Sequence, residues 1–369
     1  MPASPGPSLE QAPSSRIARR SALRDVLDLG IKAGALAAAL MATLAAIVYF
    51  VPEEGTAIQA TLLKHQRLAQ YDTRKIVLIG GSNLSMGIDS SMIERATGCP
   101  VVNMGMNGHV GVRYMLQEVK SELNPSDVVV LAFEWDNFYK SVDGTAENSL
   151  VVVKVNPAAF NYLSLKQRLL MVSAIPYAAH QKIMRLFAEA IVDIDNFVES
   201  ETGGSIDPDD EREFLINDLR QVSGFSPQGD LISHLGVAWP YEFADGMIPA
   251  GAPIESQMIA MMRDFALNKT KRDITVMVSY TPVERHFYNR HKGTIDEAHR
   301  RITATSPLVA PSPPEAFAYD RRYFFDTVYH LNAEGRVLRT QRLIDDLKSQ
   351  FHERVRCSTN VSVDRSAGL

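Results

Sequence analysis

Nineteen consecutive residues without a charge, Ala33 to Val51 (AGALAAALMATLAAIVYFV), constrain this chain more than any other feature. A helix needs roughly twenty apolar residues to cross a bilayer. Arg16, Arg19, Arg20 and Arg24 precede the stretch, and Glu53 and Glu54 follow it. The arginine-rich flank of a span stays in the cytoplasm, so an N-in, single-pass anchor is expected, with the remainder of the chain outside. A cleaved signal peptide is the rival reading. Its apolar core is usually shorter, and no small-x-small cleavage site follows Val51. A buried Ala-rich helix of a soluble core is the third.

Around this anchor the chain divides on composition. Residues 1–29 form a tail, Pro-, Ser- and Ala-rich at first and therefore expected to be disordered, then basic. Residues 30–52 are the transmembrane segment, 53–72 a connector, 73–355 the folded domain and 356–369 a second disordered tail. The domain is long enough for a sizeable core, and 46% of the whole chain is hydrophobic. A net charge of −5 offers no basic surplus for nucleic acid. Cys99 and Cys357 are too few for a disulfide scaffold or a Cys-rich zinc module, and whether they pair stays open.

The domain opens with an α/β rhythm. Ile76–Ile79, Val101–Met104 and Val128–Phe133 are short apolar runs of the kind that form buried parallel strands. Between them, Asp89 is placed to cap a helix through Ala96, with Gly98 beyond its end, and Val112 to Leu123 reads as a second helix. Strand–helix–strand–helix–strand implies a parallel sheet with right-handed crossovers. About residues 155–270 the rhythm breaks into a mostly helical, irregular stretch, read as an insertion or cap. Leu165–Leu170 and Ile183–Val198 are its helical parts, and Glu199–Glu213 is an exposed acidic loop. Sheet-type sequence returns at Ile274–Tyr280, and a last helix spans Ala333–Phe351, with Val337, Ile344, Leu347 and Phe351 on one face.

The first strand runs into Gly80-Gly81-Ser82-Asn83. Ligands of open parallel sheets bind beyond the carboxyl ends of the strands, which is where Ser82 falls, and free N–H groups there can stabilise an oxyanion. A serine in a Gly-rich turn is more often only structural. A second segment changes the balance: YFFDTVYHLNAEGRVLRT, residues 323–340, supplies Asp326 and His330 just before the last helix, with Asn332 placed to cap it. A serine nucleophile needs a base, and the base an orienting group.

These pieces, with NMGMNG (103–108) after the second strand, resemble the SGNH, or GDSL-type, hydrolase superfamily. The nearest likeness is to its membrane-anchored members that serve alginate-type polysaccharide O-acetylation and teichoic-acid D-alanyl transfer. The resemblance implies a three-layer, flavodoxin-like fold with a parallel sheet of about five strands, a helical insertion and one N-terminal transmembrane helix. It implies Ser82 as nucleophile, His330 as general base and Asp326 as its orienter. The oxyanion hole would take the N–H groups of Ser82 and Gly105, with Gly108 as the alternative to Gly105. It implies an extracytoplasmic acyltransferase or esterase of a bacterial inner membrane, its domain periplasmic, acting on acyl, above all acetyl, esters of an exported polysaccharide. An integral-membrane O-acyltransferase is the implied partner, and no cofactor is implied. A non-catalytic, glycan-binding component of an export complex is the alternative.

Three departures from the superfamily pattern stand in the sequence. Gly-Gly-Ser replaces Gly-Asp-Ser. Three residues, not two, separate Asp326 from His330. The third block, Gly-x-Asn-Asp, has no clean counterpart. The third strand ends in AFEWDNFY (132–139), where Asn137 or Glu134 could occupy the third oxyanion position, although a carboxylate there would repel an oxyanion. Asn83, His109 and Trp239 are candidates for substrate contact. Trp239, like Tyr241, reads equally as packing beneath a loop. His286, His291 and His299 are spaced by five and eight and share no helical face, so no metal site is expected. Arg336 and Arg339 are expected in ion pairs. Neither a dinucleotide fingerprint nor a phosphate loop is present.

Overall fold

The computed structural model describes residues 15–52, 57–202, 219, 221–239, 247–248, 253–351 and 357. Most of the expected acidic loop, Tyr241 and the 356–369 tail apart from Cys357 lie outside them.

The chain divides into two compact units. The first contains helix α1 (Ser15–Phe50) and Ile175–Asp193 of a later helix. One helical segment among the described residues, Leu23–Phe50, is long and apolar enough to cross a membrane. Only 6% of its most apolar window is buried, and Leu36, Leu40 and Phe50 are all exposed. Such exposure is unlike that of a buried helix in a soluble core.

The second unit holds the α/β domain. Helix α2 (Thr61–Gln70) leads to β1 (Ile76–Gly80), followed by α3 (Ser82–Gly87), α4 (Ser90–Thr97), β2 (Val101–Asn103), α5 (Val112–Glu118) and β3 (Val128–Ala132). Next come α6 (Ala146–Val155) and α7 (Leu165–Thr202), which joins both expected helical parts into one helix with Pro176 inside it. Beyond these lie α8 (Ser256–Thr270), β4 (Thr275–Val278), β5 (Val283–Glu284), α9 (Arg285–Thr303), β6 (Ala318–Tyr319) and α10 (Ala333–Phe351). Asp89 caps α4 by accepting from the Met92 N–H, and Gly98 closes the same helix at φ 72°.

Four strands form one parallel sheet in the order β2-β1-β3-β4. About five were expected. Where a fifth would lie beside β4, Val309 contributes a single carbonyl to the Val278 N–H. Pro311, Pro313 and Pro314 follow at once, and residues without an N–H cannot extend a ladder. The chain instead pairs β6 with β5 in a separate two-stranded patch.

Alternation along β1 separates two cores. Val77 and Ile79 face a large cluster built on α5, α8 and α9, while Ile76 and Leu78 face Ile93 of α4 and Leu343, Ile344 and Leu347 of α10. The sheet is covered on both sides, which explains its continuous apolar strands. Two expectations are corrected here. Helix α8, inside the stretch read as an insertion, is a core helix through Met258, Met262 and Phe265. The buried face of α10 excludes Val337, which is 48% exposed, and includes Arg336 and Arg339.

The connector is likewise part of the domain. Leu68 of α2 is buried in the core, and Lys64 of α2 donates to the carbonyls of Asn103, Gly105 and Gly229 at 3.0, 2.5 and 2.6 Å. Burial pushes the Lys64 ammonium down to about 7, against the Asp230 and Glu118 carboxylates, which favour the charged form. Asp230 also comes from the presumed cap. It accepts from the Ser90 N–H and hydroxyl, from the Asn103 amide and from Arg336, joining α4, β2 and α10. Cys99 and Cys357 form a disulfide.

Candidate active site

Strand β1 delivers Ser82 to the carboxyl edge of the sheet, and glycines are required on the way. A Cβ on Gly80 would run into the Ala132 carbonyl of β3, and one on Gly81 into the Glu134 carboxyl. The late segment reaches the same point from the other side. An antiparallel bridge between Phe324 and Leu331, with the Phe325 N–H on the His330 carbonyl at 2.8 Å, closes a tight loop. Asn332 finishes it by accepting from the Gly335 N–H, as expected of a cap. Within this loop three intervening residues suffice to turn Asp326 back onto His330.

The three side chains fall in line. Ser82 Oγ lies 2.8 Å from His330 Nε2, and His330 Nδ1 lies 2.7 Å from Asp326 Oδ1. His330 is 8% exposed, so the pair is sheltered without being sealed off. This is the geometry of a nucleophile, a base and an orienter.

The expected oxyanion donors are arranged differently. The Gly105 N–H is taken by the Asn103 side chain at 2.9 Å, so Gly105 does not face the serine as a free donor. Gly108 is the residue against the site, since a Cβ there would strike Glu134 Oε2. Asn137 turns its amide onto the Gly108 carbonyl at 3.2 Å, and its buried Oδ1 has no partner among the described residues. Glu134, which is 3% exposed, lies against Ser82 instead. Its Oε1 lies 2.8 Å from Ser82 Oγ and accepts from the Asn83 N–H at 3.1 Å. Burial raises the Glu134 carboxyl above the usual range and nearby Asp136 adds to it, against the Asn83 N–H, His330 and Ser82.

The substrate candidates separate. Asn83 is fully buried, with its amide on the Ala132 carbonyl and its Oδ1 on Arg339, so it anchors the turn and does not face a ligand. His109 is half-exposed, 3.5 Å from Asp136, whose contact raises its pKa. Trp239 packs on Phe325 at 6.0 Å between ring centres, next to Asp326 in sequence. His234, also behind that loop, places Nε2 3.1 Å from the Leu331 carbonyl, its Nδ1 has no partner among the described residues, and burial pushes it down to about 4. His299 is engaged by Tyr280, and His291 packs at a tilt against Phe287. Among the described residues no group of three or more His, Cys, Asp or Glu is gathered for a metal.

Arg336 forms the expected internal ion pair, with Asp230, whereas Arg339 binds the carbonyl and side chain of Asn83 directly behind Ser82. Sequence reasoning had no signal for Arg339 or Lys64 as supports. Glu134 had one, its place two residues beyond the carboxyl end of β3. A groove of about 300 Å³ between α5 and α8, lined by Arg113, Gln117, Lys120 and Phe265 among others, contains none of these residues. No protein-family model matches the chain, and no curated protein matches it.

Proposed function

We propose that the chain is a serine acyl-transfer enzyme of the SGNH type, which moves acyl groups, above all acetyl, to or from hydroxyls of an exported polysaccharide. The observation that carries the reading is the hydrogen-bonded line Asp326–His330–Ser82 at the carboxyl edge of a parallel sheet. His330 takes the Ser82 hydroxyl proton as Oγ attacks the acyl carbon. It then returns that proton to the departing oxygen, leaving a serine ester. An acceptor hydroxyl, of sugar or water, loses its proton to His330 and attacks in turn, and Ser82 is released with its proton restored. Asp326 holds the imidazole with Nδ1–H toward itself throughout.

The sheet order β2-β1-β3-β4 coincides with the first four positions of the flavodoxin-like order, which favours the SGNH-type fold. The arginine-rich flank of the apolar helix favours an N-in anchor with the domain periplasmic. The Cys99–Cys357 disulfide supports the same side of the membrane, because such bonds persist in oxidising compartments. An integral-membrane O-acyltransferase handing over the acyl group is the partner this placement suits.

A second reading, a non-catalytic glycan-binding component, is favoured by one observation: the buried carboxyl of Glu134 lies 2.8 Å from Ser82 Oγ, where an ionised form would repel a developing oxyanion. A fluorophosphonate probe separates the two. Applied to the full-length protein, it is expected to label wild type and to leave Ser82→Ala and His330→Ala unlabelled. Labelling that survives in Ser82→Ala rules out this nucleophile. Comparing water with sugar acceptors then distinguishes esterase from transferase.

A further inference from the structure

A serine–histidine–aspartate line leaves one buried carboxyl in the site unexplained. Glu134 is seated deliberately: Gly81 and Gly108, from two different loops, both lack the Cβ that would strike its carboxyl. Its Oε1 and His330 Nε2 each lie 2.8 Å from Ser82 Oγ. The hydroxyl has one proton and faces two acceptors. Both contacts are hydrogen bonds only when the group carries one proton more. If His330 holds that proton, it has no lone pair left to receive the one on Ser82. If Glu134 holds it, the carboxyl donates to Ser82 Oγ, and Ser82 donates to His330. Only the second arrangement readies the serine for attack.

The charged and titratable surroundings come from every side. Asp136, on the same turn, is tied to Lys140 at 2.9 Å and approached by His109. His330, with Asp326 behind it, faces from the late loop. Arg339 reaches from α10 to Asn83, and the partly buried Tyr329 hydroxyl feels both Glu134 and Asp136. Burial opposes a charge on Glu134 more strongly than these partners favour one.

We propose that Glu134 works as a neutral acid, donating its O–H to Ser82 at rest and to the acyl oxygen as negative charge develops there. This rests on Ser82 being the nucleophile. In the step itself, Oγ bonds to the acyl carbon, and the carbonyl π pair moves onto oxygen, where the Glu134 O–H meets it. The Ser82 proton goes to His330 and from there to the leaving group. Glu134 keeps its own proton, so the balance closes without another reactant. A carboxyl held neutral by its site is a known kind of oxyanion donor. An ionised Glu134 competes with His330 for the hydroxyl proton and repels the oxyanion, so ionisation turns the site off.

The test is the rate of fluorophosphonate labelling of the full-length protein between about pH 5 and 9. Wild type is expected to slow on the alkaline side. Glu134→Gln, whose amide donates without titrating, is expected to lose that fall. Its advantage over wild type should grow about tenfold per pH unit beyond the midpoint. Glu134→Ala is expected to label about 10²–10³-fold more slowly than wild type on the acid side. If Glu134→Gln retains the wild-type alkaline fall, or is slower by one constant factor at every pH, Glu134 is only structural and the proposal fails while Ser82 stands. Labelling of Glu134→Gln alone supports it. If wild type labels and Glu134→Gln does not, the proposal fails while Ser82 stands; if neither wild type nor any Glu134 variant labels, the nucleophile reading fails with it. Infrared difference spectra of wild type against Glu134→Gln provide a readout independent of activity. A protonated-carboxyl band near neutral pH that disappears in the variant supports the proposal, and its absence overturns it.

Discussion

Asp326 and His330 show how a local loop sets a chemical state. The 2.7 Å contact between His330 Nδ1 and Asp326 Oδ1 leaves Nε2, the nitrogen facing Ser82, as the one with a lone pair. Asp326→Asn would offer an N–H in place of an acceptor and favour the wrong tautomer. If the proposed chemistry is right, Asp326→Asn should lower the acyl-transfer rate about 10⁴-fold with the fold unchanged. A fall in labelling rate of less than tenfold, with an unaltered melting curve, would remove Asp326 from the machinery. At this scale much was legible in the sequence: a Gly-Gly-Ser turn after an apolar run, and an Asp and His just before a capped helix. Asn83 was misplaced because the residue after a candidate nucleophile looks exposed in sequence. In three dimensions Arg339, 256 positions away, claims it. The role of Glu134 was hidden because burial, which raises its pKa, is a property of what surrounds it and not of its neighbours in the chain.

Helices and strands of the α/β rhythm were readable because local signals fix them: a cap at Asp89, a stop at Gly98, apolar runs of strand length. What joins them was not, since Lys64 and Asp230 act across the chain. Lys64 fastens α2 to the loop after β2 and to Gly229, and also lies over the Phe225 ring at 5.1 Å. That loop carries Gly105 and Gly108, so a helix read as a mere connector positions one wall of the site. The 226–231 turn, read as part of a cap, places Asp230 beneath three elements for the same reason. Each buried carbonyl or donor left without its partner costs about 1–3 kcal/mol. Lys64→Met keeps the volume and strands three carbonyls. It is expected to lower the unfolding free energy by at least about 3 kcal/mol in denaturant titrations, and to slow Ser82 labelling in the protein that remains folded. Stability within about 0.5 kcal/mol of wild type would mean that water or another donor serves those carbonyls equally well.

The chain as a whole combines an apolar helix near its N-terminus with a disulfide near its C-terminus. Cys99 and Cys357 are 258 residues apart, and the bond anchors a segment beyond α10 to the end of α4, where the Cys357 N–H also meets the Thr97 carbonyl. Neither cysteine's sequence context forced the pairing, since each simply follows a helix, and only the approach of the α4 and α10 ends brings them within reach. Closing so long a loop restricts the unfolded chain, with an upper value of about 5.5 kcal/mol in the chain-entropy account. The bond and the membrane orientation depend on each other: a domain retained in the cytoplasm would be kept reduced. Full-length protein taken directly from membranes, alkylated and unfolded without reductant, is therefore expected to show no titratable thiol, and two after reduction. The Cys99→Ser, Cys357→Ser double variant is expected to unfold at lower denaturant concentration, with at most about 5.5 kcal/mol of unfolding free energy lost. An alkaline phosphatase fused at the C-terminus should be active, because that enzyme, too, folds only where disulfides form. Two free thiols in the unreduced protein together with an inactive fusion would place the domain in the cytoplasm, and a polysaccharide outside the cell could then not be its substrate.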